Sequence, residues 1–242
     1  MSCCAIFIRS STNVATLSDE GVCSIIDAHS GIITQQWCVE PSRAKDTGFI
    51  HSKGKYLFIV RGNGRISAWD ASIGLLFGEY SFMDCKAKVS AMYSHATLEG
   101  LVIVGFENGS VRAFDTKQGV EKQLQMNLDS KIVSITGSNS GLIYCACENG
   151  RTLVYDAKTN VMNTCGNKYT PGIAQFSVHK KDPFFVLSPP NLRPFVCRDD
   201  LSVTHELQSP VEPGSTFVMS EEYPVVFFFG HSGDVHSYNL IQ

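Results

Sequence analysis

A nine-residue signature recurs along this chain at a spacing that few folds permit. It reads Gly62-Asn-Gly-Arg-Ile-Ser-Ala-Trp-Asp70, Glu107-Asn-Gly-Ser-Val-Arg-Ala-Phe-Asp115 and Glu148-Asn-Gly-Arg-Thr-Leu-Val-Tyr-Asp156. Each copy has Asn-Gly, then five residues ending in an aromatic, then Asp. Weaker copies stand at Asp19–Asp27 and His231–Asn239, and a degenerate one at Leu192–Arg198. The marker positions Gly21, Gly64, Gly109, Gly150, Leu192 and Gly233 are 43, 45, 41, 42 and 41 residues apart. A period of this length, carried by short apolar stretches, marks a supersecondary unit repeated along the chain.

Each unit reads as four short antiparallel strands. Asn-Gly between two apolar runs predicts a hairpin with a two-residue turn, both turn positions at positive φ. The expected tips are residues 20–21, 63–64, 108–109, 149–150, 191–192 and 232–233. After each hairpin comes Asp-x-x-x-Gly, as in Asp27 to Gly31, Asp70 to Gly74 and Asp115 to Gly119; Asn160 replaces the glycine in the fourth unit. This is a second tight turn, with the aspartate expected to accept backbone N–H groups of its own turn. A further apolar stretch precedes each hairpin. The strands Tyr56–Val60 and Val225–Phe229 are apolar at consecutive positions, which predicts burial on both faces, as in stacked sheets. No helical period appears over a long window. The expectation is an all-β ring of about six four-stranded sheets over residues 1–242, a β-propeller. Its blades span about 3–38, 46–80, 88–125, 131–165, 172–207 and 214–242.

Two irregularities are expected. Pro190 and Pro194 in the fifth unit should shorten or unpair a strand, because proline cannot donate to a ladder. The sixth unit has a third strand at Asp234–Tyr238 but lacks a fourth, so the ring is open or incomplete. A closed six-bladed ring with a three-stranded last blade, or a chain trimmed from a longer one, also fits.

These residues resemble the WD-repeat family of β-propellers. The Asn-Gly turn, the aromatic-Asp pair ending the third strand and the period in the low forties match, and Trp69-Asp70 is a literal Trp-Asp dipeptide. The resemblance extends from Cys3 to Asn239. It departs from the family where no Gly-His opens a repeat and where Glu20, Asn63, Asn108, Asn149 or Ser232 stands in place of the turn aspartate; the family's buried His–Asp network is then expected to be absent. The Asp-x-x-x-Gly element before Trp37 is also similar to quinoprotein-type propellers. That implies an alternative reading, a propeller enzyme or ligand binder using the central channel.

Chemistry-bearing patterns are otherwise sparse. The chain has 242 residues, 20 Lys+Arg against 23 Asp+Glu and no basic run, which argues against nucleic-acid binding. Its apolar runs are far shorter than the roughly 18 residues of a membrane-spanning helix. Met1–Cys4 lacks the basic and apolar regions of a secretory signal. Nine cysteines occur without a Cys-x-x-Cys pair, so free thiols in a reducing compartment, cytoplasmic or nuclear, are expected. Seven histidines show no metal-ligand spacing, and no Gly-x-Ser-x-Gly elbow is present. No catalytic residue, cofactor or metal is expected.

The functional expectation is a non-enzymatic protein-interaction scaffold, a subunit of a larger cytosolic or nuclear assembly. In the resembled family, loops between blades share a face with the hairpin tips. That implies partner-binding residues Arg43, Lys45, Met83, Lys86, Lys88, Met126 and Tyr169. The open strand adds Asp234, Val235, His236, Ser237 and Tyr238, where another protein completes the propeller in trans, because an unpaired edge is a template for a further strand.

Overall fold

The structure is a computed structural model. It describes residues 4–8, 11–39, 48–53, 55–82, 86–94, 101–137, 141–156, 158–159, 161–166, 175–178, 184–188, 193–198, 203–207, 216–220, 223–229 and 234–240. Among these no helix occurs. The strands form five four-stranded blades and one three-stranded sheet, the architecture of a β-propeller.

The first sheet is β1 (Cys4–Phe7), β2 (Asn13–Leu17), β3 (Val22–Asp27) and β4 (Ile33–Cys38). The second is β5 (Gly48–Lys53), β6 (Tyr56–Arg61), β7 (Arg65–Asp70) and β8 (Leu75–Ser81). The third is β9 (Val89–Ser94), β10 (Leu101–Phe106), β11 (Ser110–Asp115) and β12 (Val120–Asn127). The fourth is β13 (Ile132–Gly137), β14 (Leu142–Cys147), β15 (Arg151–Asp156) and β16 (Val161–Gly166). The fifth is β17 (Gln175–Val178), β18 (Phe184–Ser188), β19 (Phe195–Arg198) and β20 (Val203–Glu206). The last sheet has β21 (Thr216–Met219), β22 (Val225–Phe229) and β23 (Val235–Asn239). Within the sheets chain neighbours pair antiparallel, as in Leu57 with Trp69 and Phe227 with Ser237. Two compact units divide the chain: 1–107 with 111–126, and 108–110 with 127–242.

Second strands in the first unit show why a continuous apolar run is needed. From β6, Leu57 and Ile59 join a core with Leu17, Cys23 and Ile25 of the first sheet. Phe58 and Val60, on the opposite face of the same strand, join a core with Val102, Val104 and Phe106 of the third. Alternate side chains of a strand point to opposite faces, so a sheet stacked on both sides requires apolar residues at every position. In the second unit, Phe217, Val226 and Phe228 pack with Val186 and Val196 of the fifth sheet and with Leu207 just after it.

The hairpins differ from expectation in one respect. Val60 pairs with Ile66 and the loop is Gly62–Gly64, three residues rather than two. Gly64 N–H donates to Arg61 O at 2.8 Å, and Gly64 has φ +82°. This is a four-residue turn closed by a left-handed residue, the usual three-residue hairpin. Only the glycine needs the left-handed region. Asn63 serves through its side chain, Oδ1 accepting from Arg65 N–H at 2.9 Å. Asn108 and Asn149 do the same for Ser110 and Arg151. The tips expected at 191–192 and 232–233, and Asn160, lie outside the described residues.

The fifth sheet is shortened but fully paired. Its third strand, β19, has four residues where β7 and β15 have six, and it pairs with β18 and β20. Pro194 sits just before it, where no ladder N–H is required, and its carbonyl accepts from Leu207 N–H at 2.9 Å. Pro190 is outside the described residues. The three-stranded final sheet agrees with the sequence. The burial of β22 on both faces does not: Val226 and Phe228 are buried, whereas Phe227 and Phe229 are exposed. A sheet packs against each face of β6; among the described residues of the second unit only one face of β22 is covered.

Candidate interaction surfaces

The repeated polar residues are absorbed by the turns. Asp27 Oδ1 accepts from the N–H groups of His29 and Ser30, at 3.1 and 2.7 Å. Asp115 accepts from Lys117 and Gln118, and Asp156 from Lys158 and Thr159. Asp70 accepts from Ser72 N–H and pairs with Lys55 Nζ at 2.7 Å; Lys122 Nζ pairs with Asp115 at 3.0 Å. These partners favour the ionised form. The Lys55 ammonium, then the Ser72 hydroxyl, hold Asp70 down at about 2. The Ser30 N–H lowers Asp27 and the Lys158 N–H lowers Asp156. Burial pulls Asp115 upward, but Lys122 and the turn N–H groups outweigh it. A carboxylate locked in the ionised form by its own turn is a structural cap rather than a proton-transfer group.

The buried thiols Cys23, Cys145 and Cys147 are held in the same way. Burial pushes the Cys23 thiol up to about 12 and the Cys147 thiol up to about 11, and raises Cys145 as well. A thiol held protonated is neither nucleophile nor metal ligand. Among the described residues no cluster of three His, Cys, Asp or Glu side chains could hold a metal ion. A cleft of about 700 Å³ in the first unit is lined by Arg65, Glu79, Tyr80, Phe114, Gly119 and Glu121. Its charges are engaged: Arg65 with Glu79 at 3.6 Å, and Arg112 with Glu121 at 3.2 Å. Tyr80 Oη donates to Thr116 O at 3.1 Å.

The residues expected to bind partners are dispersed. Lys86 and Lys88 are exposed beside the second hairpin tip, to which their segment is tied by Val89 N–H donating to Gly62 O at 3.0 Å. Met126 is a core side chain: it lies in β12, is 3% exposed and offers no loop surface. Arg43, Lys45, Met83 and Tyr169 lie outside the described residues. On the last strand, Asp234, Val235 and Ser237 are exposed, whereas His236 and Tyr238 are half-buried. The face of Tyr238 packs inward, against Phe228.

Among the described residues, exposed apolar side chains gather at two places that no sequence pattern marks. In the first unit, Leu75, Leu76 and Phe77 are exposed consecutively on the outer strand β8, and Tyr56 lies against Phe77 with ring centroids 5.0 Å apart. In the second, the outer face of the last sheet presents Val218, Phe227, Phe229 and Val235. An apolar run reads the same in sequence whether or not a neighbour covers it, so no local signal separates these residues from core.

No protein-family model matches the chain, and no curated protein does. Solved structures are similar to it. A chain of the mitotic checkpoint complex superposes over 98% of this chain and 74% of its own, with a TM-score of 0.81 and 11% identity. Raptor of Chaetomium thermophilum matches over 98% of this chain and 23% of its own, with a TM-score of 0.82 and 14% identity. The likeness is one of fold. At such identity it assigns no residue a role, and function has to be argued from the surfaces.

Proposed function

We propose that this chain is a non-enzymatic protein-interaction scaffold of the WD-repeat type, a subunit of a larger assembly in the cytosol or nucleus. The observation that carries the reading is the exposed apolar run Leu75-Leu76-Phe77 on strand β8. Adjacent exposed apolar residues of this size mark interaction sites on soluble proteins. The repeated carboxylates meanwhile hold turns together. The two structural neighbours support it as well, since one comes from a multiprotein complex and both share the fold. The buried free thiols Cys23, Cys145 and Cys147 support a reducing compartment. Lys86 and Lys88 would serve as rim contacts, and strand β23 as an edge to which a partner strand adds.

The test is native mass spectrometry of the tagged chain purified from its own cells. A defined stoichiometric complex is expected, and Leu75→Lys with Phe77→Lys should dissociate a partner held at that surface. A chain recovered only as a monomer under gentle conditions, or one that turns over a small molecule, would refute the scaffold reading.

A further inference from the structure

Strand β8 carries two different surfaces in succession. Its first residues, Leu75, Leu76 and Phe77, are the exposed apolar run. Its last, Glu79, Tyr80 and Ser81, line the cleft of about 700 Å³ in the first unit. Glu79 follows Phe77 by two residues, about 7 Å of strand rise. A segment that covers the apolar run and continues along β8 therefore arrives at the cleft.

The cleft combines aromatic surface with carboxylates. Tyr80 and Phe114 form an aromatic pair with ring centroids 4.8 Å apart, and Gly119 and Val120 contribute from the start of β12. The Tyr80 ring is fixed by its hydroxyl, which donates to Thr116 O at 3.1 Å. Among the ionisable side chains of the lining, the carboxylates of Glu79 and Glu121 stand against the single guanidinium of Arg65. The lining is therefore negative on balance.

Neither carboxylate is saturated. Glu79 lies 3.6 Å from Arg65, too long for a hydrogen bond, and both side chains are about half exposed. Glu121 meets Arg112 at 3.2 Å. A carboxylate offers about four acceptor sites, so one such contact leaves most of them open.

This combination suits one side chain above others. A guanidinium is planar, stacks on aromatic rings, binds carboxylates in a fork and is more weakly hydrated than an ammonium. Its methylene stem covers apolar surface while the charged head stays at the rim. An anionic ligand would be repelled by Glu79 and Glu121, and an apolar one would strip water from them without replacing its hydrogen bonds. The half-exposed Arg65 and Glu79 leave the cleft open to a side chain delivered from outside.

We propose that the cleft between the end of β8 and the start of β12 is a pocket for an arginine side chain of a partner protein, carried by the segment that covers Leu75–Phe77. This rests on the scaffold reading and supplies the chemistry of the partner at that surface. The guanidinium donates to Glu79 and Glu121 and lies against Tyr80.

The test is an NMR titration of the isotope-labelled chain with N-acetyl-arginine amide as the probe. Saturable shifts are expected at the amides of Glu79, Tyr80, Gly119 and Glu121, and N-acetyl-lysine amide should bind about five-fold more weakly or worse. Glu79→Gln with Glu121→Gln should weaken the arginine probe about ten-fold. Glu79→Gln alone should weaken it about three-fold, which carries the test if the double change disturbs folding. Arg65→Gln should tighten binding about two-fold by removing a competing cation from Glu79, an effect that a purely structural pair would not produce. Shifts that do not saturate or that fall elsewhere, equal binding of the lysine probe, or unchanged affinity in Glu79→Gln would overturn the proposal. In the complex purified from native cells, Glu79→Gln with Glu121→Gln should lose the partner at a salt concentration that the wild-type complex survives; equal retention would also overturn it. All of these results leave the scaffold reading standing. A chain recovered only as a monomer removes that reading, and the partner arginine with it, whatever the probe does.

Discussion

The hairpin tip at Gly109 offers a sharp test of how linker and turn are joined. Gly109 has φ +84°, and a β-carbon there would collide with the Leu128 carbonyl oxygen, lying 2.6 Å from the Leu128 carbon and 2.9 Å from Ser130 O. Gly119 has φ +69° with no atom of a described residue within 4 Å of the same position. Alanine at Gly119 should therefore cost only the left-handed conformation, about 1–2 kcal/mol. Alanine at Gly109 carries that cost and forces the linker to retreat. The hydrogen bond from Leu128 N–H to Gly109 O, 2.9 Å long, would be lost at about 1 kcal/mol. Leu128, 5% exposed, would give up part of its burial, about 1–2 kcal/mol more. The expected total is about 4 kcal/mol, so the two variants should differ by about 2–3 kcal/mol. Urea denaturation at unchanged slope measures it through the midpoints. Equal losses within 0.5 kcal/mol would refute the close approach and leave backbone conformation as the whole effect.

Three further outcomes are expected. Arg61 is 2% exposed, donates from Nη2 to Asp19 O at 3.2 Å and, among the described residues, has no partner for Nε and Nη1, while Phe106 and Cys147 fill the equivalent place in the next two sheets; Arg61→Met should be neutral or stabilising by about 1–4 kcal/mol, and a lowered urea midpoint would contradict this. Asp70 titrates near 2 in the folded chain against an ordinary 3.8, so its contribution is present above about pH 4 and is lost as pH falls toward 2; Asp70→Asn should flatten that part of a stability-versus-pH curve, and an unchanged curve would remove the Lys55 pair from the account. Cys23, Cys145 and Cys147 should resist iodoacetamide in the folded chain and react in urea, whereas exposed Cys38 should react in both; mass-spectrometric labelling of the native chain at Cys145 would refute its burial.

Local chemistry was legible from sequence because its causes lie within a few residues. The Asp-x-x-x-Gly turns have the expected aspartate caps, and Gly31, Gly74 and Gly119 adopt positive φ. Asn-Gly located the hairpins but suggested the wrong loop length. The same dipeptide can supply two left-handed residues, or one left-handed glycine after an asparagine that accepts a hydrogen bond through its side chain. Choosing between them depends on the register of the flanking strands. Met126 falls in a loop by its sequence because strand ends are poorly marked there; β12 runs to Asn127 and buries Met126.

Taken alone, the order of residues determined a repeating antiparallel sheet, its turns, its shortened fifth member and its three-stranded last one. Each depends on short-range rules: alternation along a strand, positive φ at glycine and the missing N–H of proline. Tertiary structure decided which apolar faces are covered. Leu57 and Phe227 occupy second strands of similar composition, yet Leu57 is fully buried and Phe227 faces solvent. Burial depends on whether another sheet stands about 10 Å away, a relation between segments distant in the chain that no local pattern encodes.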